Sequence, residues 1–207
     1  MQLKRHAQAF AMCLVFALVG MLPAAAFEVI VVPENVNAVN LTSAIDILPG
    51  AEGKVQLSTA PGEDGIIRRI EVLASVGGTD PNWALFALRN DGDVQIERLL
   101  VAPFFRLPGS GIFRPDLGAE RIKVLTPSAG IRPERLPDRE ADVFEIVLDP
   151  GATVTFVAEL ASDGLPELYM WHPDAYRDYV NSFTLFRGTV LGVSSLAAGH
   201  LTLVPAL

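Results

Sequence analysis

Val143–Leu160 reads VFEIVLDPGATVTFVAEL. Two apolar alternating runs flank Asp149-Pro150-Gly151. Before the turn, Val143, Glu145 and Val147 point one way, and Phe144, Ile146 and Leu148 the other. After it, Val154, Phe156 and Ala158 alternate with Thr153, Thr155, Val157 and Glu159. Period-two alternation of β-branched and aromatic residues predicts two strands, and the Pro-Gly turn between them predicts a hairpin.

The same grammar extends outward. Trp83–Arg89 (WALFALR) puts Trp83, Leu85, Ala87 and Arg89 on one face and Ala84, Phe86 and Leu88 on the other. Asn90-Asp91-Gly92-Asp93 and the run Ile96–Ala102 follow, which predicts a second hairpin. Further strands are predicted at Phe27–Val32, Leu41–Leu48, Lys54–Thr59, Ile66–Ala74, Arg121–Thr126 and Leu168–Trp171. Asn35 to Asn40 reads as a polar connection, Phe104–Ile112 as an apolar loop, and Pro127 to Asp142 as a polar loop without periodicity. Short strands at this spacing, with no long helix between them, predict an all-β fold: an antiparallel β-sandwich or jelly roll.

The two ends differ from this middle. Residues 1–26 read as a signal peptide: Lys4-Arg5, then an apolar run from Ala7 to Leu22, then Ala24-Ala25-Ala26. Cleavage is expected before Phe27, leaving 27–180 as the β-rich domain. Cys13, the one cysteine, lies inside the apolar run, so it can form no disulfide within the chain. At the far end, Asp174–Ser182 predicts a short amphipathic helix. Phe183–Val204 predicts an apolar helix of about 33 Å, the length of a membrane span, within a C-terminal segment 183–207.

Composition narrows the chemistry. A net charge of −8 disfavours nucleic acid, whose phosphates need clustered Lys and Arg. No HExxH, P-loop or GxSxG sequence occurs, and of three histidines only His172 lies in the body of the chain. His172 with Asp174 offers a ligand or metal contact; a solvent-facing histidine beside Pro173 is the plainer reading. Asn90–Asp93 resembles a calcium loop but lacks the remaining ligand spacing. Glu63-Asp64 and Asp138-Arg139-Glu140 lie in polar loops with no apolar burial to separate two carboxyl pKa values. Trp83, Trp171, Tyr169, Phe104 and Phe105 are candidates for a sugar-stacking face. Arg106, Arg114, Arg121 and Arg132 are candidates for an anion clamp. From these, the ligand-binding set predicted is Trp83, Phe104, Arg106, Arg114, Trp171 and His172, with no catalytic residue, metal ligand or cofactor.

Longer stretches carry a resemblance. These are Trp83–Leu88, Ile96–Pro103, Gly109–Gly118, Ala141–Phe144, Leu148–Leu160, Tyr169–Trp171, Pro173–Tyr176 and Asn181–Gly188. Together they resemble the periplasmic N-terminal region of alphaproteobacterial membrane-bound GGDEF/EAL signalling proteins. Those carry an extracytoplasmic sandwich like the sensor modules of seven-transmembrane diverse intracellular signalling proteins. The resemblance covers roughly residues 60–195 and implies a chain truncated before the cytoplasmic cyclic-di-GMP domains. Neither a GGDEF nor an EAL sequence is present, so no catalytic residue carries over. It implies a non-enzymatic periplasmic sensor domain tethered to the inner membrane. The partners expected are that membrane, a small-molecule or carbohydrate ligand, and a second copy of the chain in a homodimer. The alternative from another class is a secreted carbohydrate-binding or adhesion-type module.

Overall fold

The computed structural model describes residues 28–62, 64–106, 114, 115 and 120–202. The expected signal peptide, 1–26, lies outside the described residues. Along the chain run β1 (Val29–Val31), β2 (Ala38–Asn40), β3 (Asp46–Leu48), β4 (Lys54–Ser58), β5 (Arg69–Leu73) and β6 (Trp83–Arg89). Then come β7 (Ile96–Pro103), β8 (Phe105–Arg106), β9 (Arg114–Pro115), β10 (Ile122–Pro127) and β11 (Glu134–Leu136). The chain continues through β12 (Ala141–Leu148), β13 (Thr153–Leu160) and β14 (Tyr169–Trp171) to a helix, α1 (Pro173–Thr202). The expected strand Leu41–Leu48 is instead a 3-10 turn, Thr42–Ala44, followed by β3.

Two five-stranded sheets form the body. In the first, β13 lies antiparallel between β6 and β10. The other edge of β6 is shared by β3, opposite Trp83–Leu85, and β1, opposite Ala87–Arg89. The β1–β6 pair is parallel, so this sheet is mixed rather than antiparallel throughout. The second sheet runs β11–β12–β7–β14–β2 and is antiparallel.

Both expected hairpins are corrected by this order. β6 pairs with β1, β3 and β13, while β7 pairs with β12 and β14. Likewise β12 and β13 lie in different sheets. Each turn therefore carries the chain from one sheet to the other. Asn90 binds the two crossings together. Its Nδ2 donates to the carbonyls of Val94 (2.8 Å), Leu148 (3.1 Å) and Asp149 (3.2 Å), and its backbone N–H to Ala152 (3.0 Å). Gly151 closes its crossing at φ +70, a conformation that favours glycine.

The predicted alternation does locate the core. Ala84, Phe86, Leu88, Val154, Phe156 and Ala158 of the first sheet share one apolar cluster with Ile96, Leu100, Phe144, Ile146 and Leu148 of the second. Phe86 and Phe156 are cross-strand partners whose rings stack at 5.4 Å. A buried charge completes this face: Arg98 donates to the carbonyls of Glu97 (2.8 Å), Pro33 (3.0 Å) and Glu34 (3.1 Å).

The opposite faces are covered too. Trp83, Leu85 and Val157 pack under Val55 and Leu57 of the β4–β5 pair, with Ile70 and Val72 against them. Leu99, Val101, Ala141 and Val143 pack with Tyr176, Trp171 and Val180. β6 is thus buried on both sides, which explains its unbroken apolar sequence. Beyond this contact α1 continues as a single element, where a short helix and a separate apolar helix were expected. No helix among the described residues is long and apolar enough to cross a membrane. Residues 203–207 of the expected C-terminal segment, which hold the end of the span, lie outside the described residues.

Candidate functional site

The six residues predicted to bind ligand fall in three places. Trp83 begins β6 and is 1% exposed beneath β4–β5, so its indole offers no face to a ligand. Its Nε1 has no hydrogen-bond partner among the described residues. Phe104 is half-buried after β7; its N–H donates to Glu140 O (2.8 Å), and its carbonyl accepts from Arg121 Nη2 (3.2 Å). Arg106 and Arg114 are opposite one another across β8–β9, and their side chains lie outside the described part of the structure. Of the other two arginines weighed, Arg121 is buried and Arg132 exposed.

Trp171 and His172 stand together where β14 becomes α1. His172 is the N-cap. Its Nδ1 accepts from the Asp174 N–H (3.3 Å), and its carbonyl accepts from Tyr176 N–H (3.0 Å). Pro173 suits the first helical position, where an N–H has no partner to lose, and Asp174 complements the positive helix end. The Trp171 ring meets Tyr176 edge-on at 5.9 Å and Tyr179 at 5.1 Å, and Tyr179 stacks on Phe183 at 6.2 Å. The Tyr176 hydroxyl donates to Asp138 Oδ2 (3.1 Å); burial, then the Asp138 charge, pushes that hydroxyl well above its ordinary range. Asp138 Oδ1 accepts from the N–H groups of Glu140 (2.7 Å) and Ala141 (3.1 Å). One carboxylate therefore ties the start of α1 to the β11–β12 turn.

The remaining motifs have structural places. Asn90 of the suspected calcium loop is the clamp described above. No group of three or more metal-ligating side chains occurs among the described residues. Asp64 pairs with Arg68, whose guanidinium hydrogen bonds hold its carboxyl down at about 2. Glu63 lies outside the described residues.

Sequence reading missed three features. Two buried carboxylates act as pins. Asp142 accepts from the N–H groups of Arg121 (2.6 Å) and Ile122 (2.9 Å) and from Arg135. Glu159 accepts from Ser75 N–H (2.7 Å) and Ser75 Oγ (2.9 Å) and lies 3.8 Å from Lys123 Nζ. A row of carboxyls also crosses the second sheet: Glu134 faces Glu145, with Glu97 opposite the nearby Val147. Burial, then Glu97 and Glu134, holds the Glu145 carboxyl above its ordinary value.

The third is a cleft of about 410 Å³ between the Thr59–Arg68 loop, the Ser128–Gly130 turn and the β12–β13 crossing. Of the six predicted residues, Trp83, Phe104, Trp171 and His172 do not line it. Its walls meet at Thr155. Thr155 Oγ1 accepts from Ala60 N–H (2.9 Å), and its own N–H donates to Ser128 Oγ (2.9 Å). A closing N–H bond runs from Ser128 to the Thr155 carbonyl (2.7 Å). Comparison of the chain with family models, with curated proteins and with solved structures finds no match.

Proposed function

We propose that this chain is a non-enzymatic periplasmic sensor domain, a β-sandwich of jelly-roll type, tethered to the inner membrane through its C-terminal helix. The observation that carries the reading is the way α1 leaves the body. Its first turns pack on the second sheet, and the turns beyond present Leu185 at 73% and Leu191 at 67% exposure, with Phe186, Val190 and Val193 also exposed. Thr189 and Ser195 turn their hydroxyls back onto the carbonyls of Leu185 (2.9 Å) and Leu191 (2.8 Å). Such bonds hide polar groups, which suits an apolar setting. The apolar sequence continues through Leu201, Leu203 and Val204.

In this reading, ligand binding to the sandwich shifts the pose of α1 about the Trp171–Tyr176–Asp138 contact, and the helix carries that shift to the membrane. The resemblance noted above makes the wider setting cyclic-di-GMP signalling. A carbohydrate-binding module is less favoured, because Trp171 is already engaged by Tyr176 and Tyr179.

Fractionation of the full chain tests the tether. The protein should sediment with inner membrane, and Val193→Arg should move most of it to the osmotic-shock fluid, since a charge in a span costs roughly 2.5–3.5 kcal/mol. Wild-type protein wholly soluble after osmotic shock, with deletion of 183–207 changing nothing, would remove the reading.

A further inference from the structure

We propose that the cleft between the Thr59–Arg68 loop, the Ser128–Gly130 turn and the β12–β13 crossing binds a small zwitterion of the α-amino-acid type; this rests on the ligand-binding reading above. The first reason is pre-organisation. The Thr155 bonds fix two of the walls, and the loop is closed on itself by Thr59 N–H to Arg68 O (2.8 Å) and Arg68 N–H to Thr59 Oγ1 (3.1 Å). The crossing is held by Ala152 N–H to Asp149 O (3.1 Å) and by Asn90. A site fixed before binding loses less freedom on binding.

The second reason is the set of polar groups on those walls. The hydroxyl oxygens of Thr59 and Ser128 each already accept one backbone N–H, so each keeps its own O–H to give. Neither O–H has an acceptor among the described residues. Arg68 also lines the cleft; its Nη1 and Nη2 donate to Asp64, a second wall residue, and its remaining N–H groups are left to give. Gly62 makes room for that pair: a Cβ there would stand 3.0 Å from Asp64 Oδ1 and 3.1 Å from Arg68 Nη1. These donors suit a carboxylate. The β12–β13 crossing contributes the opposite sign. Asp149 uses Oδ1 to accept from Gln95 Nε2 (2.6 Å), which leaves its second oxygen for an ammonium.

The third reason is what the walls lack. Among the described residues no aromatic side chain lines the cleft, so they provide neither the stacking platform of a sugar site nor the cage of a quaternary ammonium site. Its volume lies at the small end of the range for small-molecule pockets.

The test uses the purified full chain with each of the twenty common L-amino acids at 1 mM, by thermal shift and then calorimetry. At least one should raise Tm by about 2 °C or more, as binding to the folded state alone requires. The N-acetylated and the carboxamide forms of that amino acid should each bind at least tenfold more weakly. Asp149→Asn should weaken binding at least tenfold. Thr153→Trp, which fills the cleft, should abolish it while the circular dichroism spectrum stays native. No response to any amino acid, equal binding of the capped forms, or intact binding by Thr153→Trp would each overturn the proposal. A different compound that shifts Tm equally in wild type and Thr153→Trp would keep the ligand-binding reading and discard this site.

Discussion

The two sheets are covered on their outer faces by different means. The β4–β5 pair lies over β6 and β13, and backbone donors fasten it. Gly53 N–H gives to Asp80 Oδ1 (2.7 Å), Ser75 N–H to Glu159 and Ala60 N–H to Thr155. Only the first turns of α1 lie over β7 and β12, and side chains hold them: the Trp171 aromatic contacts and the Tyr176–Asp138 bond. Backbone pins fix position and register. Ring contacts and one hydroxyl tolerate tilting. The first cover is pinned to the body by backbone bonds, and the second is held by softer contacts, as the joint proposed above needs.

The sharpest way to break this contrast is to place a charge under each cover. Val157→Arg, beneath β4–β5, should abolish cooperative folding, a loss above about 4 kcal/mol. Val180→Arg, at the α1 contact, should free the helix while far-UV circular dichroism still shows the strands. Equal collapse of both variants would make the covers equivalent. Next, Glu159→Ala strands Ser75 N–H and should lower stability by about 2–4 kcal/mol in urea denaturation.

Tyr176→Phe removes one hydrogen bond and should cost about 0.5–1.5 kcal/mol. Hydrogen exchange should quicken only in the first turns of α1; faster exchange along β13 would contradict a local joint. The smallest effect belongs to Glu145. Its raised carboxyl means that the folded state holds this proton more tightly than the unfolded chain. The stability it contributes is complete below the ordinary carboxylate range and is lost as pH rises through the raised value. Glu145→Gln should therefore change little at pH 4 and add roughly 0.2–1 kcal/mol at pH 7, the scale of a like-charge cross-strand pair. Equal gain at both pH values would count against the carboxyl row.

Alternation was legible because it depends on side-chain direction alone. Phe144, Ile146 and Leu148 face the shared core as Val143–Leu160 predicts. Pairing was not legible, because a turn sequence marks where a chain reverses and not whether the next strand returns beside it or in the other sheet. Asp149-Pro150-Gly151 and Asn90-Asp91-Gly92-Asp93 both mislead in this way. β11 escaped notice in a polar loop because it is a three-residue edge strand, with Glu134 and Arg135 exposed. The cleft escaped because Thr59, Ser128 and Asp149 are far apart in sequence and ordinary in type. Glu159 and Asp142 look solvated in a sequence; only the structure puts backbone donors around them.

The crossings that Asn90 clamps also bear on the order in which the chain acquires its shape. A hairpin zips as soon as its second strand exists. Trp83–Arg89 instead takes its full-length partner from β13, beyond the whole of β7–β12. Closing so long a loop delays the pairing and belongs to the slow, millisecond-to-second class of folding. During synthesis, WALFALR therefore waits with one full edge open. An unpaired apolar edge of that kind is what a holding chaperone covers.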